Sequence, residues 1–149
     1  MLNVTRKIVG VVTLGVFSLF IGCEDNSADI EPIEFELLTN LPRDDNGYYH
    51  MKLDPLRQQT FHRLSGRVTR NDRGVNVIKF GWGSDTYYEY QDYLVPIVNG
   101  SSYSDTNGEV NTVLGIFYSL LGDTATIYYS YYDNWLYETS GGEFSIIFN

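Results

Sequence analysis

Aromatic side chains are the best-equipped binding groups in this chain of 149 residues, which carries 13 tyrosines, eight phenylalanines and two tryptophans. The tyrosines gather mainly in two runs, Tyr87-Tyr88-Glu89-Tyr90-Gln91-Asp92-Tyr93 and Tyr128-Tyr129-Ser130-Tyr131-Tyr132-Asp133-Asn134-Trp135-Leu136-Tyr137. An exposed Tyr or Trp offers a flat apolar ring with a polar edge, suited to stacking on sugar rings or to concentrating binding energy at a protein interface. The interleaved Asp, Asn and Gln add hydrogen-bonding groups for hydroxyls. The candidate ligand or partner contacts are therefore Trp82, Tyr87, Tyr88, Tyr90, Tyr128, Tyr132, Trp135 and Tyr137. A structural use competes with both readings, because Tyr favours strands and cross-strand tyrosine pairs stabilise sheets by roughly 0.2–1 kcal/mol.

Catalysis has less to draw on. The chain contains no G-x-S-x-G elbow, no H-E-x-x-H, no P-loop and no dinucleotide fingerprint. His50 and His62 are its only imidazoles. Alternation places His50 on the solvent face of its strand beside Lys52, and His62 on the face of Leu64 and Val68. No catalytic residue and no metal site is assigned to them. Two turns, Asp44-Asp45-Asn46-Gly47 and Asp105-Thr106-Asn107-Gly108-Glu109, set oxygen ligands around a glycine as calcium loops do. Neither has the spacing of an EF-hand loop, and Asp or Asn in such turns ordinarily accepts hydrogen bonds from its own backbone. The expectation is therefore a non-catalytic protein without a cofactor, with a hydrolytic enzyme as the remote alternative.

The single cysteine, Cys23, closes the apolar run that ends Phe20-Ile21-Gly22-Cys23. Arg6 and Lys7 precede Ile8–Ile21, 14 uncharged residues, fewer than the roughly 20 a spanning helix needs. A small residue before a cysteine resembles the lipobox of bacterial lipoproteins, although Phe20 stands where Leu is usual. The resemblance implies a signal peptide over 1–22, cleavage before Cys23, and a diacylglycerol thioether with further acyl chains (palmitate-type) on Cys23. Two or three chains anchor stably where one holds only marginally. Residues 23–32 then form a polar, acidic tether. The cluster Glu24-Asp25-Asn26-Ser27-Ala28-Asp29 resembles the surface-export signal of Bacteroidetes lipoproteins, which implies an outer-membrane protein facing the cell exterior, the periplasmic side being the alternative. Asp123-Thr124-Ala125 is similar to the O-glycosylation acceptor of that phylum and makes Thr124 a candidate modification site.

Without the leader, eight basic residues face 19 acidic ones, a net charge of −11. That charge repels a phosphate backbone, so nucleic acid is excluded as a partner. It disfavours anionic lipid head groups as well, leaving attachment to the anchor. The 127 residues of the mature chain suffice for one domain and not for two.

The elements that must position the aromatics read as strands. Tyr49, Met51 and Leu53 alternate with polar neighbours across Tyr48–Asp54, and Leu64, Gly66 and Val68 oppose Ser65, Arg67 and Thr69. Asn71-Asp72-Arg73-Gly74 predicts a hairpin onto Val75–Trp82. Further strands are predicted at Ile33–Leu38, Thr86–Tyr90, Leu94–Val98, Glu109–Ser119, Thr124–Tyr132 and Glu143–Phe148. Turns are expected at Asn99-Gly100, Asp105–Gly108, Leu121-Gly122-Asp123 and Ser140-Gly141-Gly142. In the strand over 124–132, Tyr129 and Tyr131 share one face and Tyr128 and Tyr132 the other, so one pair must lie outside or at the margin. The fold class is all-β: a single sandwich of about 7–9 strands over residues 33–149.

Leu64-Ser65-Gly66-Arg67-Val68-Thr69 followed by Gly74-Val75-Asn76-Val77-Ile78 resembles the first hairpin of carboxypeptidase regulatory-like and bacterial Ig-like domains, with Gly74 where those carry Pro. Asp105-Thr106-Asn107-Gly108-Glu109-Val110 and Gly122-Asp123-Thr124-Ala125-Thr126-Ile127 are similar to a later strand entry and the closing strand of the same domains. The resemblance spans roughly residues 60–132 and implies an Ig-like or transthyretin-like sandwich serving adhesion, spacing or binding. The expected function is a lipid-anchored interaction module for a partner membrane protein; the alternative is a glycan-binding surface lipoprotein using the Tyr and Trp clusters.

Overall fold

A computed structural model describes residues 30–149; the leader, Cys23 and the tether up to residue 29 lie outside the described residues. Eleven strands follow in chain order: β1 (Glu34–Leu38), β2 (Tyr49–Met51), β3 (Gln59–Arg70), β4 (Arg73–Gly74), β5 (Lys79–Ser84), β6 (Tyr87–Tyr90), β7 (Tyr93–Pro96), β8 (Gly100–Tyr103), β9 (Glu109–Phe117), β10 (Thr124–Asp133) and β11 (Glu138–Phe148). One 3-10 turn, Tyr118–Leu120, is the only helical element among the described residues.

The strands form a β-sandwich. In one sheet β3 is central, with β1 antiparallel along one side and β9 and β4 along the other. The second sheet runs β2-β11-β10-β5-β8, antiparallel except where β2 joins β11. β6 and β7 pair as a separate hairpin. Period two fills the space between the sheets: Leu64, Val68, Val110, Leu114 and Ile116 come from one side, and Phe80, Ile127, Ile146 and Phe148 from the other, all fully buried. Each such side chain contributes roughly 1.5–3 kcal/mol of transfer free energy.

Aromatic rings occupy one end of this core. Phe80 stacks on Tyr129 at 5.5 Å and on Tyr131 at 5.4 Å between centroids, and Phe35 packs on Tyr129 at 4.3 Å. Phe35 reaches inward only because Gly66 has no side chain; a Cβ there would collide with the Phe35 ring. The buried Tyr131 hydroxyl donates to the Ile33 carbonyl at 2.8 Å and so ties the start of the domain to β10.

Four expectations are corrected. The Asn71-Asp72 turn does form, both residues having positive φ (51° and 61°) as a two-residue hairpin requires, but the returning strand is only Arg73–Gly74. Val75–Ile78 then crosses to the other sheet, where β5 begins. Buried Ser104 serves this crossover, its hydroxyl donating to the Val75 carbonyl at 2.6 Å and accepting from the Ile78 amide at 2.9 Å. Gly74 cannot be replaced by the Pro of the resembling domains, because any Cβ would strike the Asn107 carbonyl.

Ser140-Gly141-Gly142 is strand, not turn: it lies within β11, its glycines beneath the Tyr129 carbonyl and phenol. The turn is Asn134–Tyr137, closed at Tyr137 with φ 56°. Gly100 opens β8, a strand absent from the expectation, and the strands number eleven instead of seven to nine because β4 and β8 are short and polar. The strand expected over Tyr48–Asp54 contracts to Tyr49–Met51, although Met51 and Leu53 are buried as the alternation requires.

Candidate functional site

The aromatic candidates part company in three dimensions. Trp82 is a correction: only 4% exposed, it belongs to the core, its indole packed 4.9 Å from Phe80 and donating to the Ser102 hydroxyl at 3.1 Å. The alternation that sends Phe80 inward sends Trp82 with it. Tyr128 and Tyr132 lie outside while Tyr129 and Tyr131 turn inward, as period two dictates. Tyr87 and Tyr90 are exposed on the β6–β7 hairpin, and Tyr88 is half-buried. Trp135 and Tyr137 are exposed in the β10–β11 turn. Thr124 opens β10, exposed and paired with Ile147.

Three surfaces result. The first is an aromatic face on the outside of the three-stranded region. β3 pairs with β9 so that Gln59 opposes Phe117, Phe61 opposes Gly115 and Arg63 opposes Val113. Phe61, 69% exposed, lies over Gly115, where its ring would sit 3.6 Å from a Cβ. Phe117 meets the Tyr88 ring at 4.2 Å. Tyr88 shares its side of the hairpin with Val95, Tyr90 and Tyr93, the last 73% exposed. Arg63 and Arg67 border this face, held flat by Asn111 Oδ1 at 3.1 Å and the Asn107 carbonyl at 3.3 Å. Phe61, Val113, Phe117 and Tyr93 were not among the sequence candidates. The signal was present at Phe61, which falls on the Ser65–Arg67 side of the β3 alternation.

The second surface is a groove on the outer face of the five-stranded sheet. Ser130 is flanked in register by Gly81 and Gly141, and Gly81 by Ser101, so small residues line up across four strands. Tyr128, opposite Gly83 and Glu143, forms its wall. The groove encloses about 260 Å3 over Gly81, Gly83, Gly100 and Ser130. Beyond Tyr128 lies a hollow of about 350 Å3, lined by Tyr87, Pro96 and Asn99 among others. Partial burial, then the nearby Asp85, Glu143 and Tyr87, push the Tyr128 phenol above its ordinary pKa.

The third is a cleft of about 670 Å3 between the β3–β4 hairpin and the β10–β11 turn, lined by Arg70, Asn71, Arg73, Asn76 and Trp135 among others. The Arg70 guanidinium lies 5.5 Å from the Trp135 ring centroid and is ion-paired with the buried Asp133.

Neither histidine faces any of the three, although His62 sits on β3 between Phe61 and Arg63. His50 bonds Asp44 Oδ2 at 3.1 Å and the Asn149 amide at 2.9 Å. His62 faces inward, and its burial pulls its pKa below the ordinary value. Asp44 Oδ1 accepts from the Asn46 and Tyr48 amides, and Asp105 Oδ1 from those of Asn107 and Glu109. Both turns thus use one carboxylate oxygen on their own backbone. Among the described residues no three His, Cys, Asp or Glu side chains converge as metal ligands. No family model matches the chain, and no curated protein matches it.

Proposed function

We propose that the protein is a non-catalytic interaction module of the carboxypeptidase regulatory-like or bacterial Ig-like kind. In this reading it is anchored through acylated Cys23 to the outer membrane, facing the cell exterior, and docks a partner membrane protein. The single observation that carries the docking role is the aromatic face. Phe61, Val113 and Phe117 share the outer face of the β3–β9 pair with Arg63 and Arg67, and the Phe117–Tyr88 contact links that face to the side of the hairpin that carries Tyr90 and Tyr93. Exposed aromatics with a polar rim are the composition of interface hot spots, and a contiguous exposed apolar patch on a soluble domain marks an interaction site. Nine residues separate Cys23 from Ile33, a reach of at most about 35 Å. A domain held so near the bilayer meets integral neighbours at high effective concentration.

The test is recovery of membrane proteins with the lipidated chain from native membranes in mild detergent. Phe61→Asp leaves the core untouched and should abolish co-recovery at unchanged melting temperature. Co-recovery that survives Phe61→Asp combined with Tyr93→Asp would sink the docking reading.

The groove walled by Tyr128 favours a second reading, a glycan-binding surface lipoprotein. Gly83 and Gly100 have ordinary φ, and a Cβ on either would meet nothing within 4 Å, so neither turn geometry nor packing demands glycine there. Glycine within a strand weakens it and often marks close approach of a ligand. In this reading sugar rings lie on the glycine floor against Tyr128, and Gly83→Val should abolish retention on immobilised polysaccharide. Retention that survives Gly83→Val would exclude the groove.

A further inference from the structure

We infer that the cleft between the β3–β4 hairpin and Trp135 is a binding site for an acidic sugar, a saturated ring carrying a carboxylate. It shares no residue with the aromatic face or the groove and stands independently of both. The hairpin reads Arg70-Asn71-Asp72-Arg73, and its register sets Arg70 directly opposite Arg73. Like charges directly opposite across an antiparallel pair destabilise it. The pinched Asn71-Asp72 turn, with both residues at positive φ, leaves no slack for the two strands to slip. Asp133 neutralises Arg70 from beneath, whereas Arg73 is exposed and belongs to no ion pair among the described residues. In a chain whose net charge is −9 as written, this cleft presents one exposed cation, Arg73, without a partner among the described residues.

Two more features select the ligand class. Trp135 is 67% exposed although its ring covers Arg70, so one face of the indole is free for the apolar face of a saturated ring. The Asn71 and Asn76 amides line the cleft and match hydroxyls rather than further charge. A carboxylate seated on Arg73, with the ring on Trp135 and hydroxyls on the asparagines, uses the free cation, the open indole face and both amides of the cleft.

The experiment is calorimetric titration of the full chain in detergent with trigalacturonate, a glucuronate-capped oligosaccharide and sialyllactose, each alongside its methyl ester. At least one acid should bind, with its ester about tenfold weaker or worse, the loss expected when a charge-assisted hydrogen bond is removed. Arg73→Gln should weaken binding by a similar factor while leaving the melting temperature equal or slightly higher, because it removes a like charge facing Arg70. Trp135→Ala should weaken it independently of ionic strength, unlike the Arg73 contribution. Failure of all three acids to bind, equal binding of acid and ester, or unchanged binding by Arg73→Gln would each overturn the assignment. So would equal competition by a short peptide offering only a C-terminal carboxylate.

Discussion

Arg70 and Asp133, 63 residues apart, form an ion pair in which the side chains are only 14% and 4% exposed. Arg70 ends β3 in one sheet and Asp133 ends β10 in the other, so the pair clamps the two layers together at one end of the sandwich. The second carboxylate oxygen, Oδ1, accepts from the Trp135 amide at 2.9 Å and the Leu136 amide at 3.3 Å. One aspartate thus joins the sheets and shapes the turn that presents Trp135.

Removing that carboxylate should be costly. Asp133→Ala leaves the largely buried Arg70 charge without its partner and uncaps the turn, and loss of one partner of a buried pair costs about 3–5 kcal/mol. Asp133→Asn can still accept from the turn amides, so it should lose less. Urea unfolding of the two variants checks the order; an alanine variant as stable as the parent would mean that the clamp contributes nothing.

Acid should unfold the protein in two stages. Burial pushes the Asp133 carboxyl up, but the Arg70 hydrogen bond, the Trp135 and Leu136 amides and the guanidinium charge outweigh it and hold it below the ordinary aspartate value. A hydrogen bond from His50 leads the groups that lower Asp44, against opposition from burial. With folded values below unfolded ones, this stabilisation is full above the unfolded value near 3.9 and lost as pH falls through the folded value. His62 acts earlier. Buried and neutral when folded, it takes up a proton more readily in the unfolded chain. Stability therefore begins to fall below about pH 6.5 and keeps falling until the lower folded value is passed. Urea midpoints against pH should show both limbs, with His62→Gln removing the first and Asp133→Asn shrinking the second. A second limb unchanged by Asp133→Asn would contradict the assignment.

Glycine substitutions should separate structural from functional positions. Gly74→Ala drives a Cβ into the Asn107 backbone and Gly66→Ala into the Phe35 ring, so both should destabilise. Gly83→Ala meets nothing and should stabilise, by about 0.5–1 kcal/mol, through the lower entropy of its unfolded chain. Thermal melts of the three decide it; a destabilised Gly83→Ala would show an unrecognised backbone demand at that position.

The period of two carried much of this architecture. The inward and outward division of Tyr128–Tyr132 follows from alternation alone, as do buried Leu64 and Val68. Trp82 could have been placed by the same rule, since it shares parity with Phe80. Glycine misled at Gly141 and Gly142, which serve close packing under Tyr129 and not reversal of the chain. The actual turn is Asn134–Tyr137, two of whose residues, Trp135 and Tyr137, are strand-formers by type, and it is held because buried Asp133 supplies the cap. The aromatic face was hidden for a different reason. Phe61 and Tyr88 lie on different strands, 27 residues apart in sequence, and only the β3–β9 pairing and the Phe117 ring bring them together.

The central claim is that the Phe61–Tyr93 face docks a membrane protein, and site-specific photocrosslinking in intact cells tests it most directly. A photoreactive residue at position 61 should give one dominant adduct to an integral outer-membrane protein, while the same residue at position 132, on the opposite sheet, should give none. An adduct pattern identical from both positions, or adducts from 132 alone, would contradict the account.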